Sequence, residues 1–182
     1  NKEQLKTKGF VILKDIYTVE EVKDLRRILS NHFKKNGISI HEGKAQPNAL
    51  LHVPELKKYI FNDKIINALK ELLDEEELMF TFHSDIHKSL KSGWHKDDGT
   101  SQGLGYFGEY TYDYEDCRVI KLGVYLQNHH KNKSGLTVRP GSHRHKELFF
   151  GKEEYAPTEI GDVVAFDVRI NRSLKTIKGR VA

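Results

Sequence analysis

The sequence has little cysteine, proline, methionine or tryptophan. Of its 182 residues, one is Cys, one is Met, one is Trp and four are Pro. A single cysteine, Cys117, excludes an intrachain disulfide framework and a cysteine-rich zinc site, and it favours a reducing, cytoplasmic location. No run approaches the roughly 18 apolar residues of a membrane-spanning helix. We therefore expect no membrane partner.

The sequence also lacks a concentrated charge of one sign. It holds 30 Lys and Arg against 26 Asp and Glu, which gives a formal net charge of +4 and a pI near 9.0. The excess is small in both halves: 15 basic against 14 acidic residues in 1–90, and 15 against 12 in 91–182. Proteins that bind nucleic acids usually concentrate basic residues on one face or arm. We expect a lysine-rich solvated surface and no nucleic-acid partner.

The pattern of apolar residues predicts a single α+β domain that is mainly β. Thr18 and Glu21 form a capping box that begins a helix ending near residue 36. A second helical stretch covers 54–73, with an interruption near 62–63. A first strand-like run covers 9–13. The other strand-like runs come after the helical stretches, at 78–83, 85–90, 118–127, 135–139 and 161–169. Helices first and strands afterwards predict a β-sandwich or barrel braced by N-terminal helices.

One segment, 99–117, is rich in tyrosine and glycine. It holds Tyr106, Tyr110, Tyr112 and Tyr114. Long loops of this kind often act as lids over a site, so we expect Tyr110 and Tyr112 to contact a substrate. A decorated surface hairpin is the alternative.

Ten histidines are present, and most of them taken singly are typical of structural or solvated positions. His95 differs because Asp97 follows two residues later, in the segment Gly-Trp-His-Lys-Asp-Asp-Gly. On an extended chain these two side chains point to the same side. Joined by a distant histidine, they would form the facial triad that holds Fe(II) in oxygenases. Such a pair also occurs by chance, and a surface turn is the alternative.

Three motifs in order extend this pattern over nearly the whole chain. They are the Trp-His-x-Asp segment at 94–97, Gly-Leu-Thr-Val-Arg-Pro-Gly-Ser-His at 135–143 and Gly-Asp-Val-Val-Ala-Phe-Asp at 161–167. This order resembles the phytanoyl-CoA dioxygenase-like family. The resemblance implies an Fe(II)- and 2-oxoglutarate-dependent dioxygenase on a double-stranded β-helix, of the jelly-roll or cupin-like kind. It also implies that O2 is used to hydroxylate a C–H bond, with succinate and CO2 as coproducts; we expect a small polar metabolite as substrate.

On this interpretation, residues 1–182 are one oxygenase domain, with a helical part at 1–77 and the β core at 78–182. We expect the chain to continue beyond both ends. His95 and Asp97 would bind the iron. The residues expected to bind 2-oxoglutarate are Arg180, Thr137, Lys88 and Lys121, and those expected at the substrate are Tyr110, Tyr112 and Lys96. Asp98 is one position off the pattern, and His143 is expected to be structural.

The sequence departs from the family at the third iron ligand. A histidine is expected just after Asn171, but that position holds Arg172 and no histidine follows His145. A guanidinium has no lone pair for a metal. Three explanations stay open: a stretch with the histidine is absent from the sequence; the site is degenerate in a non-catalytic jelly-roll binding protein; or another histidine, such as His129, reaches in.

Overall fold

The computed structural model describes residues 1–37, 43–88, 91–97, 119–132 and 135–175. The helices in these ranges are α1 (Lys2–Lys8), α2 (Val19–Lys35), α3 (Ala49–His52), α4 (Lys57–Ile60), α5 (Asp63–Leu73) and α6 (His129–Asn132). The strands are β1 (Phe10–Leu13), β2 (Lys44–Gln46), β3 (Ile86–Lys88), β4 (Ser92–His95), β5 (Ile120–Val124), β6 (Gly135–Val138), β7 (Glu154–Tyr155), β8 (Val163–Asp167) and β9 (Arg172–Lys175). Among the helices described, none has the length and apolar character needed to cross a membrane.

The strands form antiparallel sheets. One has the order β1-β8-β5, a second the order β4-β9-β6-β7, and β2 pairs with β3. The predicted α+β class is thus confirmed. The N-terminal part does more than brace the β core, since β1 itself pairs with β8.

Strand β8 lies at the centre of the packing and is buried on both faces. Val163 and Ala165 face a core shared with α2 and α5, while Val164 and Phe166 face a second core that includes Leu136 of β6. This alternation follows from the two-residue period of a strand. Because β8 belongs to one sheet and also packs against β6 of the other, it fixes the position of the two sheets relative to each other.

A buried corner carries the chain from β8 in one sheet to β9 in the other. Arg169 donates to both oxygens of Asp167, at 3.0 Å from Nε to Oδ1 and 2.8 Å from Nη2 to Oδ2. Both side chains are almost completely buried. The corner fixes where β9 begins, and the first residue of β9 is Arg172.

The N-terminal helices agree with the sequence pattern in detail. Thr18 and Glu21 make both hydrogen bonds of the capping box at the start of α2. The expected interruption is also present, because the Asn62 side chain accepts hydrogen bonds from the first turn of α5. The strand predicted at 78–83 is wrong: these residues have no regular secondary structure. Phe82 adopts φ +61°, a left-handed conformation that does not fit a strand ladder.

His143 packs in the interior beside the first residues of the chain. Its Nε2 lies 3.1 Å from the Lys6 carbonyl oxygen, and its ring lies against Gly9, where a Cβ would clash with it. Gly9 also has φ +81°, which favours glycine. The histidine therefore joins α1 to the 142–144 turn, as expected for a structural residue.

Candidate functional site

The site is built where β4 and β9 lie side by side. His95 at the end of β4 is paired with Arg172 at the start of β9, and residues paired in this way project to the same face. Arg172 reaches past His95 to Asp97. Its Nε lies 3.0 Å from Asp97 Oδ2, and its Nη2 lies 2.7 Å from each carboxylate oxygen. The two side chains are 10% and 8% exposed, so this is a largely buried bidentate ion pair.

His95 and Asp97 do point to the same side. His95 Nε2 lies 3.4 Å from Asp97 Oδ1, and His95 Nδ1 lies 2.7 Å from the Gly93 carbonyl oxygen. Since a carbonyl oxygen only accepts hydrogen bonds, we assign a proton to Nδ1. Nε2 faces the carboxylate, and when Nε2 also carries a proton it donates a hydrogen bond to Asp97. A backbone carbonyl bonded to one ring nitrogen is the usual way in which a metal-binding histidine is oriented.

A second cation, Lys121 of β5, also contacts the carboxylate. Its Nζ lies 3.2 Å from Asp97 Oδ2. Burial by itself raises the pKa of Asp97, but the hydrogen bond to His95 and the charges of Arg172 and Lys121 outweigh it, so the pKa lies well below its usual range. Asp97 is therefore a carboxylate whose charge is already balanced by two side chains.

Two further residues are close enough to this centre for its charges to act on them, and the sequence alone did not single them out. The pKa of His87 on β3 is lowered, chiefly by loss of solvation and further by the charges of Arg172 and Lys121. Burial raises the pKa of Tyr125 to about 12, and Asp97 and Arg172 also act on this phenol. A signal for Tyr125 was available in the sequence, because alternation along the strand predicted at 118–127 places it on the face of Lys121.

Gly123 shows how β5 makes room for that phenol. It lies between Lys121 and Tyr125, and a Cβ there would come within 3.0 Å of the Tyr125 ring. Contacts this short are rare for real Cβ atoms. A glycine at this position thus lets the tyrosine fold back over the strand.

Three residues predicted for the site are placed elsewhere. The Lys88 ammonium lies over the Phe33 ring of α2, 4.5 Å from its centroid. Lys96 is 3% exposed and donates from Nζ to the carbonyl oxygens of Ser142, at 2.8 Å, and His145. Because strand residues alternate between faces, Lys96 turns away from the side that His95 and Asp97 share.

Thr137 does not share a face of its sheet with Arg172. It is paired with Ser173, while its neighbour Val138 is paired with Arg172. Paired residues share a face and successive residues alternate, so Thr137 lies on the opposite side of the sheet from Arg172. Other predicted residues lie outside the described residues: Asp98, Tyr106, Tyr110, Tyr112, Tyr114 and Arg180.

The position expected to carry the third ligand is well defined. The backbone runs from Asn171 directly into Arg172; Asn171 N–H donates to Ser142 Oγ at 2.9 Å, and its carbonyl oxygen accepts from Arg139 N–H at 3.0 Å. His129 packs on the Tyr125 ring, with centroids 5.0 Å apart. Within the described ranges, no three His, Cys, Asp or Glu side chains form a group that could hold a metal ion.

The described residues match an Fe(II) triad only in part. His95 and Asp97 are suitable donors with suitable orientation. Arg172, at the third position, remains protonated and offers no lone pair, and it occupies both oxygens of Asp97. As arranged, the described residues do not fit the metal.

Comparisons with known proteins identify the fold. No family model matches the sequence, and no curated protein matches it. Solved structures do match. The non-heme alpha ketoglutarate dependent carbocyclase SnoK from nogalamycin biosynthesis is 18% identical, with a TM-score of 0.73 over 94% of this chain and 74% of that one.

EctD from S. alaskensis, solved with 2-oxoglutarate and 5-hydroxyectoine, is also 18% identical, with a TM-score of 0.73 over 97% of this chain and 70% of that one. HygX from Streptomyces hygroscopicus, with nickel and 2-oxoglutarate bound, is 14% identical, with a TM-score of 0.72 over 96% and 80%. EctD has also been solved with bound Fe.

Iron and 2-oxoglutarate are thus the cofactors found among the structures that this chain resembles, in agreement with the cofactors predicted from the sequence. The narrower resemblance to the phytanoyl-CoA dioxygenase-like family stays a prediction. The chain has the fold of the 2-oxoglutarate-dependent oxygenases.

Proposed function

We propose that this chain is a non-catalytic binding protein that receives a small polar metabolite beside Asp97, on the fold of the 2-oxoglutarate-dependent oxygenases. The observation that carries the proposal is the bidentate ion pair between Arg172 and Asp97. The carboxylate that would bind iron is already paired with Arg172. Arg172 is also the residue at the position expected for the third ligand, and it cannot bind a metal.

Energetics support this conclusion. Removing one partner of a buried ion pair costs about 3–5 kcal/mol, because the other charge is left uncompensated. A divalent cation that took Asp97 from Arg172 would meet this cost. It would also face the positive charges of Arg172 and Lys121 at close range. Binding of a neutral or anionic polar molecule meets neither obstacle.

The groups that border the centre suit such a ligand. Lys121, His95 and Tyr125 are all partly exposed, and they offer an ammonium, an imidazole and a phenol. Small-molecule sites generally combine a few polar groups of this kind with apolar walls. On this proposal, the metabolite binds beside the residues that the family resemblance assigns to iron, and no metal is bound there.

A second function is favoured by a different observation. The His95 ring is oriented as in a metal ligand, and the similar structures include proteins with iron and 2-oxoglutarate. On this basis the chain would be an Fe(II)- and 2-oxoglutarate-dependent dioxygenase that uses O2 to hydroxylate a C–H bond of a small polar metabolite and releases succinate and CO2. Arg180 would then hold the far carboxylate of 2-oxoglutarate.

One experiment separates the two functions. The protein is mixed with Fe(II) and 2-oxoglutarate without oxygen, and the visible charge-transfer band of the ternary complex is sought. Oxygen is then admitted, and succinate is measured. We expect no band and no succinate above the protein-free background, with an active oxygenase of the same fold as the positive control. A band followed by succinate release would establish the dioxygenase.

We also propose that residues 1–182 are one domain and that its two larger sheets are the two sides of a double-stranded β-helix. The pairing of β1 with β8 supports a single unit, because removal of the N-terminal part would expose a central strand. Deletion of residues 1–18 should therefore abolish cooperative unfolding. A truncated chain that still unfolds cooperatively would show that the β core is independent.

A further inference from the structure

We propose that Arg172 substitutes for the charge of a metal ion, and that His95 and Asp97 form a latent metal site which a single substitution at Arg172 opens. This inference rests on the proposed function, because it takes the unaltered chain not to bind iron at this centre. It adds that the rest of the site has kept the arrangement of a metal centre.

Residue 172 lies between two neighbouring strands. It lies directly across from His95 on one side and from Val138 on the other. The side chain at 172 therefore projects from a central strand onto the face that carries His95. A shorter imidazole at the same backbone position would start on that face and point in the same direction.

The positive charge of Arg172 lies close to both oxygens of Asp97. Arg172 Nη2 lies 2.7 Å from both Asp97 oxygens, and one of these oxygens is 3.4 Å from His95 Nε2. The cationic nitrogen thus lies on the side of the carboxylate where a shared cation would bind. The ring nitrogen that could ligate a metal is directed at the same carboxylate.

An aromatic ring also packs against the guanidinium of Arg172. The Phe166 ring centroid lies 5.1 Å from Arg172 Cζ, within the range of a cation–π interaction. Phe166 is itself buried in the core on one face of β8, so its packing holds the ring against the guanidinium. The protein thus provides a packed position for the guanidinium beside Asp97.

The test is Arg172→His, with Arg26→His as the matched control. Arg26 is an exposed residue of α2, so the control adds a histidine without changing the site. Each protein is freed of metal with EDTA and titrated with Co(II) alone, and binding is followed by the visible absorption of the metal and by the melting temperature. These readouts require neither 2-oxoglutarate nor catalysis.

We expect Arg172→His to bind Co(II) at one equivalent, whereas wild type and Arg26→His bind it weakly. With Co(II) at about 100 times its dissociation constant, linkage predicts a rise in melting temperature of about 5–10 °C for a chain of this size. If Arg172→His folds only when Co(II) is present, that dependence supports the inference equally.

Failure can be assigned to one proposal or the other. Stoichiometric Co(II) binding by the wild-type protein would overturn the proposed function, and the inference would fall with it. Weak binding by both wild type and Arg172→His would overturn the inference alone. An Arg172→His protein that is unfolded with and without Co(II) would also count against it.

Discussion

Arg172 binds Asp97 through both carboxylate oxygens, although the two residues are 75 positions apart in the chain. The contact exists because β4 and β9 are neighbours in one sheet. On our proposal, the guanidinium takes the place of the metal ion that a histidine–aspartate pair of this kind would otherwise share. The same contact should make a measurable contribution to stability.

Arg172→Met should lower the free energy of unfolding by about 3 kcal/mol, at the lower end of the range for breaking a buried ion pair. Lys121 remains to balance part of the Asp97 charge, which is why we expect the lower end. Urea denaturation measures the change. Arg26→Met on the exposed face of α2 is the control and should change stability by less than about 0.5 kcal/mol.

A double-mutant cycle checks that the loss comes from the pair. Asp97→Leu combined with Arg172→Met should recover most of the stability, because neither member of the pair is then left as a buried charge. Lys121 also loses its contact with Asp97, but its side chain is 25% exposed and can reach solvent. If the two single losses simply add, the ion pair does not couple the residues and our description of the site is wrong.

Lys96→Met should lower stability without changing ligand binding. The buried ammonium donates to the carbonyl oxygens of Ser142 and His145, and hydrogen bonds to charged groups contribute about 1.5–3 kcal/mol. Thermal and urea unfolding measure the loss, and Lys91→Met is the exposed control. A Lys96→Met protein of normal stability that loses metabolite binding would restore the role predicted from the sequence.

Gly161→Ala should lower the free energy of unfolding by at least about 2 kcal/mol. Gly161 has φ +96°, and a Cβ there would clash with the carbonyl oxygen of Tyr17, which cannot rotate away. Gly93→Ala is the matched control, because nothing lies within 4 Å of its Cβ position. Equal effects of the two substitutions would show that the close approach of the Tyr17 segment is not maintained in solution.

Stability should fall as the pH drops below about 6.5, partly because of His143. Burial lowers the pKa of this histidine below its ordinary value of 6.5. Below that value the unfolded chain binds more protons than the folded one, so the free energy of unfolding decreases as pH falls, by up to about 1.4 kcal/mol per pH unit for one group. The structure agrees, because Nδ1 is buried without a hydrogen-bond partner.

Urea denaturation at pH 7.5 and pH 5.0 measures this dependence. The difference in stability between the two pH values should be smaller in His143→Gln than in wild type, whatever the substitution does at pH 7.5. His52→Gln removes an exposed histidine and should leave the difference unchanged. If the difference in stability between the two pH values is as large in His143→Gln as in wild type, then His143 takes up its proton as readily in the folded chain as in the unfolded chain.

Local features were predictable because their causes are local. The capping box at Thr18 and the break at Asn62 depend on hydrogen bonds within a few residues. The strand predicted at 78–83 failed because apolar content alone does not make a strand; these residues lack ladder partners among the described strands, and Phe82 is left-handed. Short β9 gave no pattern of its own, since its form depends on β4 and β6.

The sequence by itself determined the class of fold, the joint orientation of His95 and Asp97, and the absence of a histidine at residue 172. Periodicity, spacing and residue chemistry are sufficient for each of these. Only the tertiary structure decided what Arg172 does, because a contact across two strands depends on register. It also decided that Lys88, Lys96 and Thr137 lie away from the site, since the face on which a side chain projects follows from strand pairing and not from nearness in sequence.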